Sequence, residues 1–154
     1  MLPQTHAVGL WRLADEYINA ASVLRSPNRR PTNPPSFPLY YLSCHGLELS
    51  LKAFLVSQGT SERRLRRLSH NLVRVLAAAE RGNCWSRSFL SPSDRAVIEW
   101  VNSYYEKKEF EYLRTGYKSF PNPAQLLALC VRLHSALKPT IWITVRKHLR
   151  STGT

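Results

Sequence analysis

One segment, from about Leu39 to Ser57, is apolar on almost every side when it is drawn as a helix. Its large apolar side chains do not keep to a single stripe: Leu42, Leu47, Leu49, Leu51, Phe54, Leu55 and Val56. A helix of this kind is stable only when other elements cover it all round. Gly59 provides a natural C-terminal stop. The segment is therefore predicted to be the buried, central helix around which the rest of the chain packs.

The other segments predict further helices joined by loops. Apolar residues at three- and four-residue steps predict helices over about 5–24, 71–81 and 124–137, with a short helical turn before the second of these. Ser69 or His70 would cap the helix at 71–81, and Ser91-Pro92-Ser93-Asp94 is a typical start for another. The five prolines between Ser26 and Pro38 predict an extended loop.

The end of the chain is the least regular part. Pro139 is expected to kink or restart the last helix, and the tail TIWITVRKHLR fits a strand or a helix, of which we favour the helix. Alternating strand patterns are otherwise missing from the sequence. The predicted fold class is all-α: a single domain over 1–154, built as an up-and-down bundle of four or five helices. Its core covers about 5–137, and 138–154 forms a C-terminal extension.

A polar stripe interrupts the apolar central helix. Tyr41, His45, Glu48 and Lys52 fall within an arc of roughly 60° at 100° per residue. Glu48 and Lys52 are spaced i, i+4, so one interpretation is a solvent-facing strip with a surface ion pair. The other is a polar groove in which a buried Glu48 needs a cationic partner, since an unpaired buried carboxylate is costly. His70 and Arg114 are the candidate partners, and Tyr117 is assigned to the same groove. His45 and Glu48 supply only two metal ligands, so neither a metal site nor a cofactor is predicted.

The charge balance points to an anionic partner. Lys and Arg total 22 against 10 Asp and Glu, which gives a net charge of +12. Arginine offers a bidentate fork that suits phosphate. The predicted RNA-binding residues are Arg29, Arg30, Arg63, Arg64, Arg66 and Arg67, with a third basic cluster at Arg146, Lys147 and Arg150. An acidic protein partner would meet the same surface.

Aromatic residues beside arginines could stack on single-stranded bases. The pairs are Trp11 with Arg12, Trp85 with Arg87, and Tyr112 and Tyr117 around Arg114 in the predicted ordered loop FEYLRTGYKSFPNP. For Tyr112 and Tyr117 a place in the core is the favoured interpretation.

The three cysteines and the N-terminus bear on location. Cys44, Cys84 and Cys130 are odd in number and widely spaced, which predicts reduced thiols. The first residues do not form a signal peptide, and no run approaches 18 apolar residues. The expectation is a cytoplasmic protein without a membrane segment.

Four strings together resemble one family. LADEYINAASVL, HGLELSLKAFLVSQG, LSHNLVRVLAAAERG and EFEYLRTGYKSF are similar, in this order, to members of the HEPN superfamily of small helical proteins. The resemblance implies a four- or five-helix bundle and frequent homodimerisation. It also implies roles in RNA cleavage, in toxin–antitoxin pairs with a nucleotidyltransferase antitoxin, or in defence.

The family's ribonuclease signature is an arginine four to six residues before a histidine, usually late in the chain. In that chemistry the histidine transfers a proton and the arginine stabilises charge on the phosphate. Here Arg132 and Arg146 stand only two residues before His134 and His148, and the formal matches are Arg63 or Arg64 with His70. For His70 itself, a role as a helix cap or core residue is the favoured interpretation.

Two functions follow from the sequence. The first is a dimeric HEPN-type module that binds RNA, a partner protein or both, and lacks the usual late-chain ribonuclease motif. The alternative is a metal-independent endoribonuclease of a toxin–antitoxin or defence system, with His70, Arg63 and Arg64 as its catalytic residues.

Overall fold

The computed structural model describes residues 3–25, 36–112 and 114–152. Six α-helices and a 3₁₀ turn at Arg87–Phe89 form this part of the chain, and no strand occurs in it. The helices are α1 (Pro3–Leu24), α2 (Phe37–Ser57), α3 (Glu62–Leu68), α4 (Leu72–Glu80), α5 (Pro92–Tyr105) and α6 (Pro123–Ser151). The all-α prediction is confirmed, and the central helix lies where it was expected. The count is six rather than four or five because 62–68 forms a helix of its own.

The short helices begin at side-chain caps. Ser61 accepts a hydrogen bond from the backbone of Arg64 at the start of α3, and Asn71 accepts one from Arg74 at the start of α4. The prediction that Ser69 or His70 caps α4 is wrong, because Asn71 occupies the cap position. Ser91 and Asp94 form a reciprocal capping box at α5. Of these caps, Asn71 fixes one end of the turn that carries Ser69 and His70.

The helices run alternately up and down. Ile18 of α1 packs on Gly46 of α2, while a pocket brings His6 at the start of α1 to Val56 near the end of α2. The same pocket places Ser61 beside Val56, and Lys52 reaches back to Ser69, so α3 returns along α2. Helix α6 then runs parallel to α2.

Apolar side chains from most of the length of the chain form one core cluster, which extends from Ala7 to Ile141. Helix α2 supplies its centre and is covered by α1, α4, α5 and α6. The apolar surface of α2 is thus enclosed within the chain and does not itself require a second copy. The homodimer stays a prediction.

Helix α6 continues through Pro139 without a break. A proline cannot donate a hydrogen bond to the carbonyl four residues earlier. Ser135 and Pro139 both lie on the exposed side of α6, where water can bond to that carbonyl. The tail is helical, as favoured, and its Ile141 is fully buried.

By length and composition α6 could also cross a membrane, with a mean hydropathy of 1.3 over its most apolar window. Of that window 44% is buried inside the bundle, and core helices of water-soluble proteins pass the same test. The length and hydropathy of α6 therefore do not indicate whether it spans a membrane.

Candidate functional site

The carboxylate of Glu48 is the centre of a buried polar cluster. The Glu48 residue is 1% exposed, although it lies on the most apolar helix of the chain. Lys52 Nζ donates to Oε1 at 2.5 Å, while His70 Nδ1 and Tyr105 Oη lie 3.0 and 2.6 Å from Oε2. The prediction of a buried Glu48 bonded to a cation is confirmed, and the interpretation as a solvent-facing strip is wrong.

The hydrogen bonds around Glu48 determine which atoms carry protons. An ionised carboxylate only accepts, so the single hydroxyl proton of Tyr105 is directed to Glu48. His45 Nδ1 lies 3.0 Å from the same hydroxyl and must therefore donate to it. His70 Nδ1 likewise donates to Glu48. In both histidines Nδ1 carries a proton, and Nε2 is directed away from these bonds.

The surroundings of Glu48 keep it ionised. Burial alone would raise the pKa of this carboxyl, but the polar groups of His45, Lys52 and Tyr105 lower it by more, to about 2. Burial raises the pKa of the Tyr105 hydroxyl, and the adjacent Glu48 charge raises it further. The tyrosine therefore remains a proton donor throughout the neutral range.

The cluster also holds the connection between α3 and α4. Lys52 Nζ donates a second hydrogen bond, of 2.9 Å, to the backbone carbonyl of Ser69. Ser69 has a positive φ of 51°, a backbone conformation that favours glycine. On the other side of the turn, the backbone N–H of Leu72 donates to Asn102 of α5 at 2.7 Å. These bonds offset the strain at Ser69 and fix the position of His70.

His70 is the solvent-facing member of the cluster. Its side chain is 50% exposed, while that of Glu48 is almost wholly buried. A histidine held through Nδ1 by a buried carboxylate, with the rest of the ring accessible, has the arrangement that general acid–base catalysis uses. The site can therefore present one oriented imidazole to a ligand.

Helix α3 lies directly before His70 and presents an arginine-rich surface. Arg63, Arg64, Arg66 and Arg67 are all exposed, while Leu65 is the buried residue that attaches the helix to the core. Only Arg66 is paired within the helix, with Glu62 at 2.5 Å. Glu62, Arg63, Arg66 and Arg67 line a shallow surface depression. The structure thus groups these predicted RNA-binding residues, whereas Arg29 and Arg30 lie outside the described residues.

Two residues assigned to the polar groove do not belong to it. Arg114 and Tyr117 are exposed in the loop between α5 and α6. Tyr105, on the buried side of α5, is a Glu48 partner that the sequence did not predict. A tyrosine in an apolar stripe is the available signal, because a buried hydroxyl needs a hydrogen-bond partner.

Three donor atoms of the cluster could in principle bind a cation. One atom each of His45, Glu48 and His70 lies within 4.8 Å of the others. However, Glu48 Oε2 and both Nδ1 atoms already take part in hydrogen bonds, and Lys52 places a positive charge on the same carboxylate. Hydrogen bonding accounts for this geometry without an ion, and we assign no metal to it.

A second polar group has the residue types of a catalytic triad. Ser50 Oγ lies 2.8 Å from His134 Nδ1, and His134 Nε2 lies 3.3 Å from Asp15. Ser50 is fully buried, however, and its hydroxyl donates to the backbone carbonyl of Gly46 at 2.8 Å. The His134 ring is stacked on Trp11. No substrate can reach this serine, so the group is a packed part of the core.

No family model matches the sequence, and no curated protein or solved structure is significantly similar to the chain.

Proposed function

We propose that this protein is a HEPN-type helical module that binds single-stranded RNA through α3. The observation that carries the proposal is the set of four exposed arginines on a helix of seven residues, anchored by Leu65 and by the turn that Lys52 and Glu48 hold. Exposed guanidinium groups on a fixed support neutralise phosphates and release their counterions. The net charge of +12 attracts an RNA strand from a distance.

Replacing Arg63, Arg64, Arg66 and Arg67 together by alanine is expected to weaken RNA binding and reduce its salt dependence. Each lost phosphate contact lowers the slope of log K against log salt by about 0.7 for single strands. Four contacts would reduce it by up to about 3. Fluorescence anisotropy of a labelled RNA oligonucleotide, measured from about 50 to 200 mM salt, gives this slope.

A matched control removes the same charge elsewhere. Arg12, Arg25, Arg81 and Arg87 are exposed on α1, directly after it, and around the connection between α4 and α5. The control variant should retain most of the wild-type slope. Equal losses in both variants would mean that only net charge attracts RNA. An absence of binding even at low salt would leave an acidic protein, such as a nucleotidyltransferase antitoxin, as the partner.

The arrangement of His70 supports a second candidate function, a metal-independent endoribonuclease. The hydrogen bond of 3.0 Å from Nδ1 to Glu48 leaves Nε2 for proton transfer beside the arginines of α3. In such a reaction the ribose 2′-oxygen attacks the adjacent phosphorus and the bond to the 5′-oxygen breaks. One proton leaves the nucleophile and one reaches the leaving oxygen. His70 would carry one of these protons, and Arg63 or Arg64 would stabilise the phosphate charge.

His70→Ala distinguishes the two functions. If the protein cleaves RNA, this variant should lose cleavage while its affinity for RNA changes little. His148→Ala is the control, because His148 is an exposed histidine on α6. Binding without cleavage in the wild-type protein would exclude the ribonuclease and leave the binding module.

A further inference from the structure

Two tyrosines between α5 and α6 are exposed where the sequence favoured a core position. Tyr117 is 99% exposed and Tyr112 is 64% exposed. They belong to the connection between α5 and α6, whose described residues, 106–112 and 114–122, we call the aromatic loop. Its phenylalanines, Phe110 and Phe120, instead pack around Tyr40 in the interior. The loop thus buries its apolar rings and leaves both tyrosine rings accessible.

The segment directly after Tyr117 is attached to the bundle, and an ion pair joins it to the start of the loop. The backbone carbonyl of Ser119 accepts hydrogen bonds from Trp100 Nε1 at 3.0 Å and Tyr104 Oη at 2.7 Å. Lys118 forms an ion pair of 2.8 Å with Glu109. Tyr117 is therefore held from its C-terminal side, which lowers the entropy lost when a ligand binds to it.

The accessible rings of these tyrosines, together with the cations beside them, favour a nucleic acid over an acidic protein surface. Lys107, Lys108 and Arg114 are exposed on the same loop. Of the three acids on this loop, Glu109 is paired with Lys118, Glu106 accepts a hydrogen bond of 2.5 Å from Asn71, and Glu111 is exposed. Accessible aromatic rings beside unpaired cations form the usual platform for single-stranded bases. The other aromatic candidates are packed, Trp11 on His134 and Trp85 on Phe54.

The same hydrogen bond from Asn71 to Glu106 places the start of the aromatic loop beside His70. We propose that Tyr112 and Tyr117 stack on unpaired bases of an RNA strand whose phosphates contact α3. This inference rests on the proposed RNA binding and adds to it the way in which the bases are held.

The test replaces both tyrosines and separates stacking from charge. Tyr112→Ala with Tyr117→Ala should weaken binding to single-stranded RNA by roughly 5- to 150-fold per stacked base. The slope of affinity against salt should stay at the wild-type value, because no charge is removed. The double phenylalanine variant retains both rings and should bind as the wild type does. The alanine variant should melt at the wild-type temperature, because both side chains are exposed.

An RNA of the same length with abasic sites provides the second control. On it the double alanine variant and the wild type should bind equally, because there are no bases to stack. Wild-type affinity of the double alanine variant for normal RNA would overturn the stacking. The stacking would also be overturned if the double alanine variant lost as much affinity for abasic RNA as for normal RNA. The salt slope of the α3 variant tests the proposed RNA binding independently of the stacking. A wild-type protein that binds no RNA would overturn the proposed RNA binding and the stacking together.

Discussion

Glu48→Ala is expected to destabilise the folded protein by about 3–5 kcal/mol, the usual cost of breaking a buried ion pair. The variant leaves the ammonium of Lys52 without its carboxylate, and the hydroxyl of Tyr105 and Nδ1 of His70 without their acceptor. Urea unfolding at neutral pH, followed by circular dichroism, gives the free energy of unfolding. Two-state behaviour has to be verified from the unchanged dependence on urea concentration.

Glu62→Ala is the matched control, because Glu62 and Arg66 form another i, i+4 pair whose charged groups are 2.5 Å apart. That pair is exposed, so its removal should change the free energy of unfolding by less than about 1 kcal/mol. If the two variants were equally stable, the Glu48 cluster would contribute no more than a surface pair.

Lowering the pH should remove the stabilisation that the ionised Glu48 contributes to the folded protein. The pKa of Glu48 is lowered in the folded chain to about 2, from an ordinary value of 4.5. The unfolded chain therefore takes up a proton more readily, so this contribution is complete above pH 4.5 and is lost as pH falls towards 2. In Glu48→Gln this part of the acid sensitivity should be missing, and an unaltered pH profile would contradict the assignment.

Gly46→Ala is expected to destabilise the protein by about 1–3 kcal/mol, although alanine favours helices over glycine. A Cβ atom at position 46 would lie 2.6 Å from Ile18 Cγ1 and 3.3 Å from the backbone carbonyl of Ala14. Ile18 is buried, and the carbonyl belongs to the backbone of α1. Because neither atom has free space, α1 and α2 would have to move apart. Thermal unfolding of the variant measures the loss.

Gly9→Ala in α1 is the control with the opposite sign. No atom lies within 4 Å of a Cβ built at position 9. There the helix preference of alanine acts alone and should stabilise the chain by up to about 1 kcal/mol. A Gly46→Ala protein as stable as Gly9→Ala would show that α1 and α2 do not approach as closely as the structure has them.

The local sequence pattern was sufficient to predict the helices. Their apolar spacing and the caps at Ser91 and Gly59 depend on residues within a few positions of one another. The burial of Glu48 was one of two interpretations, because a polar stripe on α2 fits a solvent-facing strip as well as a groove between helices. The HEPN resemblance rests on the same local strings, and the fold is compatible with it.

Only the tertiary structure determines which side chains contact Glu48. Arg114 was a predicted neighbour of Glu48 and Tyr105 was not, and only the packing of α5 against α2 brings the tyrosine to the carboxylate. Pro139 does not end α6, because the side of the helix on which it lies is exposed to water.

The two tyrosines of the aromatic loop show the same limit. Phe110 and Tyr112 stand two residues apart and have similar apolar content, yet one is buried and the other is exposed. In a helix, the spacing of apolar residues along the sequence indicates which side faces the core. A loop has no such regular spacing. Its exposed and buried positions are therefore determined only by contacts with residues distant in sequence, such as those between Ser119 and the side chains of Trp100 and Tyr104.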